Sequence, residues 1–137
     1  MGGHNAGELA SRIAVQKLAH EWESMDGNFN PVKAEKWLNQ TINDANKQIY
    51  LESIENEDHA GMGTTVVAAI CSESFVSIAN IGDSRCYLLN ESGFKQLTED
   101  HSLINELLKL GEISEEDAKV HPRKNLLMKA LGTEDQC

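Results

Sequence analysis

Apolar positions recur in two different registers along this chain, and the change from one to the other divides it. Ala10, Ala14, Leu18 and Trp22 return every fourth residue, with Leu9 and Ile13 alongside, which predicts a helix from about Ala6 to Glu23. Asn5 and Glu8 have the spacing of a capping box at its start. After a loop from Asp26 to Asn30, Asn30-Pro31 opens a second helix, joining a side chain that can cap to the residue preset for a first turn. Leu38, Ile42, Ala45 and Ile49, with Trp37 and Thr41 beside them, form its apolar stripe, while Lys33, Glu35, Lys36, Asn43 and Lys47 face water. This helical pair, about residues 6–55, should lie antiparallel, and its remaining apolar surface must cover something else.

From about residue 64 the pattern becomes that of strands. Val66 to Ile70 is short, β-branched at its start and apolar throughout, as a strand buried on both faces would be. Ser72-Glu73-Ser74 turns it into Phe75 to Ile81, and Gly82-Asp83-Ser84-Arg85 reads as a tight polar turn returning into Cys86 to Leu89. Asn90-Glu91-Ser92-Gly93 makes a further hairpin into Phe94 to Leu97, so residues 64–97 predict a four-stranded antiparallel meander under the helices, an α+β arrangement. Beyond Thr98, Leu103, Ile104, Leu107, Leu108 and Leu110 mark a short helix ended by Gly111, and Ser114 with Asp117 starts another, stopped by His121-Pro122. Leu126 to Gly132 fits strand or helix equally.

A chain of 137 residues makes one domain. Its twelve basic and twenty-two acidic residues leave a net charge of −10 spread along the sequence, which argues against a nucleic-acid partner, since a phosphate backbone is held by clustered Lys and Arg. No apolar run approaches the roughly 18 residues that cross a bilayer, and the expected location is cytoplasmic. Cys71, Cys86 and Cys137 are odd in number and widely spaced, and read as buried thiols of a reducing compartment.

Asp83 is the first candidate for chemistry. A carboxylate in a glycine turn at a sheet's end has little freedom and suits a metal or phosphate site; the plainer role is to cap a hairpin. Gly61-Met62-Gly63-Thr64-Thr65 lacks the lysine of a phosphate-binding loop and precedes a strand, so a close backbone approach is expected there. The five histidines have no metal-ligand spacing. His4 is the candidate catalytic residue, because it lies in a glycine-rich lead-in to a helix where anions collect; a loop histidine without function is the alternative. Asp100 and His101 read as a general-acid pair or as helix-start residues, and the acidic run from Glu112 to Asp117 as a solvated helix start. No nucleophile elbow is present, and apolar surroundings argue against a nucleophilic cysteine.

Six segments in order are more specific than any one of them. Met1-Gly2-Gly3-His4-Asn5-Ala6-Gly7-Glu8, Gly61-Met62-Gly63-Thr64-Thr65, Asn80-Ile81-Gly82-Asp83-Ser84-Arg85, Leu97-Thr98-Glu99-Asp100-His101-Ser102-Leu103, His121-Pro122-Arg123-Lys124-Asn125 and Ala130-Leu131-Gly132 together resemble the bacterial branch of the metal-dependent protein phosphatases, the PPM or type 2C family, over essentially the whole chain. The resemblance implies a four-layer αββα sandwich with a binuclear Mg²⁺ or Mn²⁺ site between two antiparallel sheets. It implies hydrolysis of phosphoserine and phosphothreonine in proteins by a metal-bound water made acidic by two cations. Asp83 is then a ligand of an additional third metal. Residues 102–125 are the flap beside the site, with Asn125 near that metal. Implied partners are Ser/Thr-phosphorylated proteins and a cognate Ser/Thr kinase, with neither nucleic acid nor membrane.

The same resemblance implies what this chain lacks. Family members begin with further strands carrying a phosphate-binding Arg and an acidic metal ligand, then an Asp-Gly pair directly before the Met-Gly-Gly seen here. They continue past Ala130-Leu131-Gly132-Thr133 into Ser-Asp-Gly and Asp-Asn segments that supply the other metal carboxylates. Residues 1–137 are therefore expected to be an internal fragment of the domain, without its terminal strands or core binuclear ligands and inactive alone. Unpaired strand edges and uncovered apolar faces should follow. The alternative is a non-catalytic module of the same fold that binds phosphoproteins or a kinase.

Overall fold

The computed structural model describes residues 6–25 and 27–136. Helices α1 (Gly7–Glu23) and α2 (Pro31–Glu55) form where the apolar stripes predict them. Asn30 accepts the Lys33 amide on Oδ1 at 2.9 Å, with Pro31 in the first turn, so α2 begins as its sequence signals. Asn5, the expected cap of α1, lies outside the described residues. The two helices pack through the small side chains Ala10 and Ala14 of α1, which allow close approach, and through Ile42 and Ile49 of α2.

Strands β1 (Val66–Cys71) and β2 (Val76–Ile81) pair antiparallel, from Val66 opposite Ile81 to Cys71 opposite Val76. Val66, Ala68 and Ile70 turn toward the helices, and the other face of β1 is not covered: Ala69 and Cys71 are exposed. This corrects the expectation of a strand buried on both faces, and with it the expectation that Cys71 is a buried thiol; one layer of helices covers one side of a pleat. Cys86 is half-buried, and Cys137 lies outside the described residues.

The antiparallel strands under a helical pair are as predicted, but the meander is not continuous. Strands β3 (Tyr87–Asn90) and β4 (Gly93–Gln96) pair with each other as a second two-stranded sheet, and β2 and β3 do not pair. The reason lies in residues 97–101, which run back beside 82–86 and take the groups a β2–β3 hairpin would have used. Leu97 N–H donates to the Cys86 carbonyl at 2.8 Å, and Cys86 N–H donates to Thr98 Oγ1 at 2.9 Å. Gly82-Asp83-Ser84-Arg85 is thus the link between two sheets rather than the tip of a hairpin. Leu89 (75 % exposed) and Phe94 (68 %) leave an apolar face of the second sheet open, in line with the uncovered faces expected from the sequence.

The flap follows its local signals. Ser102 caps α3 (Leu103–Lys109), Gly111 follows with φ +70°, and Ser114 and Asp117 form a reciprocal capping box on α4 (Glu115–Val120). Residues 126–132 are neither helix nor strand. They make single bridges, Leu127 to Ser102 and Leu131 to Thr64, and a segment that pairs one residue at a time with separate partners builds no ladder.

Ile49, Met62 and Leu131 are fully buried in the main core, and Asn46 is buried among them. Asn46 accepts the Gly132 amide on Oδ1 at 2.7 Å and donates to the carbonyls of Glu134 at 3.0 Å and Asp135 at 3.3 Å. Gly132 has φ +85°, and a Cβ there would lie 2.1 Å from Ile49 Cγ2. Gly63 meets the expectation of close backbone approach, since its Cβ would sit 2.9 Å from the Leu131 carbonyl. No helix among the described residues is long and apolar enough to cross a membrane.

Candidate functional site

The site is built around a glycine whose conformation and surroundings disfavour any side chain. Gly82 ends β2 with φ +102°, and a Cβ there would fall 2.4 Å from Thr65 Cγ2, so the chain passes directly over the start of β1. Thr65 Oγ1 and Ser84 Oγ lie 2.8 Å apart and fasten the far side of the turn to that strand. Between them Asp83 is exposed, and among the described residues no group hydrogen-bonds its carboxylate. It does not cap a hairpin.

A second wall comes from residues 98–101. Arg85 donates from Nε to Asp100 Oδ1 at 2.8 Å and from Nη2 to Oδ2 at 2.6 Å, a two-pronged pair of the strong kind. Asp100, and after it the Tyr87 hydroxyl, hold the Arg85 guanidinium's pKa further above its already high value. Gln96 Nε2 also donates to Asp100 Oδ1, at 3.3 Å, and Asn80 Nδ2 donates to the Glu99 carbonyl at 2.8 Å. His101 donates its N–H to the Gly82 carbonyl at 3.0 Å and accepts the Gly82 amide on Nδ1 at 3.2 Å. Asp100 and His101 therefore do not form an acid pair, and neither side chain starts α3; Ser102 does that.

The flap is sewn to the same place. Met128 N–H donates to the His101 carbonyl at 2.8 Å and Leu103 N–H to that of Leu126 at 3.0 Å, closing the loop at its base. Lys109 of α3 pairs with Glu99, which lowers the pKa of Glu99 and raises that of Lys109. Asn125 is exposed in the turn directly before Leu126, so this chain of bonds joins its segment to the Asp83 turn. In the acidic run, Asp117 is held below its usual pKa by the Ser114 hydroxyl and amide, which fits a helix start. His4 lies outside the described residues.

Hard divalent cations need several oxygen ligands. Among the described residues no three His, Cys, Asp or Glu side chains gather to hold a metal ion. Asp100 is occupied by Arg85 and Glu99 by Lys109, which leaves Asp83 as the open carboxylate of the junction. These residues do not fit a dinuclear centre, and Asp83 by itself is one oxygen donor rather than a site. The sequence signalled Asp83 through its glycine turn, but the Arg85–Asp100 and Gly82–His101 pairs span 15 and 19 positions, a separation with no periodic signature.

Comparison with known proteins places this geometry. The protein phosphatase 2C family profile matches residues 1–107. The serine/threonine phosphatase stp of Listeria monocytogenes serotype 4b is 54% identical over 134 residues, which is 98% of this chain and 53% of that protein. The crystal structure of serine/threonine phosphatase Stp1 from Staphylococcus aureus superposes with a TM-score of 0.92 at 42% identity, covering 99% of this chain and 53% of that one. The catalytic domain of the serine/threonine protein phosphatase PstP in complex with two manganese ions superposes with a TM-score of 0.78 at 33% identity, covering 98% and 54%. The chain spans about half the length of the curated relatives it matches. A family match over residues 1–107 together with 54% identity over 98% of the chain is decisive: the chain belongs to the protein phosphatase 2C family.

Proposed function

We propose that these residues form the central part of a protein serine/threonine phosphatase acting on phosphorylated proteins in the cytoplasm, opposite a Ser/Thr kinase. The observation that carries this reading is the 54% identity, over 98% of the chain, to a protein named serine/threonine phosphatase. In the complete domain, Mn²⁺ or Mg²⁺ supplies the activated water. Because the described residues do not assemble a dinuclear centre, no bond-breaking step is assigned to them. Asp83 offers an oxygen donor for an additional divalent cation, Asn125 of the flap segment is the second candidate residue for that cation, and His4 is the candidate catalytic histidine. The acidity of the chain disfavours nucleic acid as a partner, and a membrane is not part of this reading.

A chimera tests it. This chain, joined to the remaining segments of the Listeria relative, should release phosphate from a phosphothreonine peptide with Mn²⁺, while residues 1–137 alone should not. A folded chimera without turnover overturns the reading. The alternative of a non-catalytic binding module predicts peptide binding without turnover in both, and the phosphatase names of the relatives do not favour it.

A further inference from the structure

We propose that His101 is the positioning residue for Asp83: its imidazole and backbone fix the Gly82 peptide from which Asp83 projects, and its carbonyl ties the returning end of the flap to the same point. Three bonds meet on this one residue. Gly82 N–H donates to Nδ1 at 3.2 Å, His101 N–H donates to the Gly82 carbonyl at 3.0 Å, and Met128 N–H donates to the His101 carbonyl at 2.8 Å. Gly82 is buried, so without Nδ1 its amide is left with an unmet donor or the turn must rotate toward water. Rotation is opposed on the other side, where the Thr65 side chain fills the space a Cβ would need and holds Ser84. Gly82 is therefore gripped from two faces, and the backbone from which Asp83 projects is set by that grip.

The arrangement fixes the imidazole tautomer. A lone pair on Nδ1 is needed to accept the Gly82 amide, so the ring proton belongs on Nε2. Asn at this position places a carbonyl oxygen near the place of Nδ1 and can take over the bond, whereas Leu cannot. The effect on metal binding rests on the assignment of Asp83 above; the hydrogen bond itself does not.

The test is NMR on the 137-residue chain, with Mn²⁺ alone as the probe. In the unsubstituted chain, long-range ¹H–¹⁵N correlations should show His101 with Nδ1 unprotonated and the proton on Nε2. His101→Leu should speed exchange of the Gly82 amide by about tenfold, and His101→Asn should restore most of that protection. Mn²⁺ broadening of Asp83 should weaken in His101→Leu and return in His101→Asn. A proton on Nδ1, or a Gly82 exchange rate that is the same in His101→Leu, overturns the role of His101. Should His101→Leu fail to fold, the tautomer in the unsubstituted chain decides. If Mn²⁺ leaves Asp83 untouched in the unsubstituted chain, the metal assignment of Asp83 fails, and the Gly82 exchange still decides His101.

Discussion

Two glycine amides in this molecule are each received by a side chain from far along the sequence, and their settings differ. Gly132 N–H goes to Asn46 inside the core, and Gly82 N–H goes to His101 at the rim of the strands. Both glycines have positive φ, and both leave no room for a Cβ, against Ile49 in one case and Thr65 in the other. The first lock is 1 % exposed at Asn46 and satisfies three backbone groups, so it serves the stability of the whole. The second is half-buried and stands beside an open carboxylate, so it serves direction more than stability. The same local device thus does different work according to how much water reaches it.

Breaking the core lock should show the largest effects. Asn46→Ala orphans the Gly132 amide and two carbonyls and should lower stability by about 3 kcal/mol in urea melts. Gly132→Ala adds a methyl group against Ile49 in a left-handed conformation, and should cost a similar amount, about 2–4 kcal/mol. At the rim, Gly82→Ala meets Thr65 Cγ2 and Cβ in a left-handed conformation and should cost about 2 kcal/mol, with the chemical-shift changes concentrated at Asp83 and Ser84. Arg85→Ala sharpens the contrast: its guanidinium is half exposed, so the melt should shift by less than about 1 kcal/mol while the Asp100 and Tyr87 signals move. The smallest effect is one of pH. The folded pKa of Asp117 is lowered, so its contribution to α4 is present at neutral pH and is lost as pH falls through that folded value, leaving the core amides unchanged. Loss of α4 shifts at neutral pH would contradict this.

What was legible in the sequence is what is local. Asn30-Pro31, Gly111 and the Ser114–Asp117 box act within one turn of their own helix, so their signals survive in one dimension. Asp83 was legible as a candidate because a glycine precedes it within a polar break between apolar runs, but the hold expected on its carboxylate is absent among the described residues, where the grip falls on Gly82 instead. The role of its neighbours was not. Asn46 falls one turn after Ile42 and just before Ile49, on the apolar face, and that placement of a polar residue was the available signal.

By itself the sequence determined the helical pair, the two hairpins, the caps of the flap and, through six ordered segments, the family. Only the tertiary structure decided that the strands part after Ile81, that Thr98, Asp100 and His101 replace the missing ladder, and that Gly132 is received by Asn46. The physical reason is range. Caps and periodicity are set by neighbours within a turn, whereas an amide buried by folding takes whichever acceptor the packing brings to it, here 19 and 86 positions away.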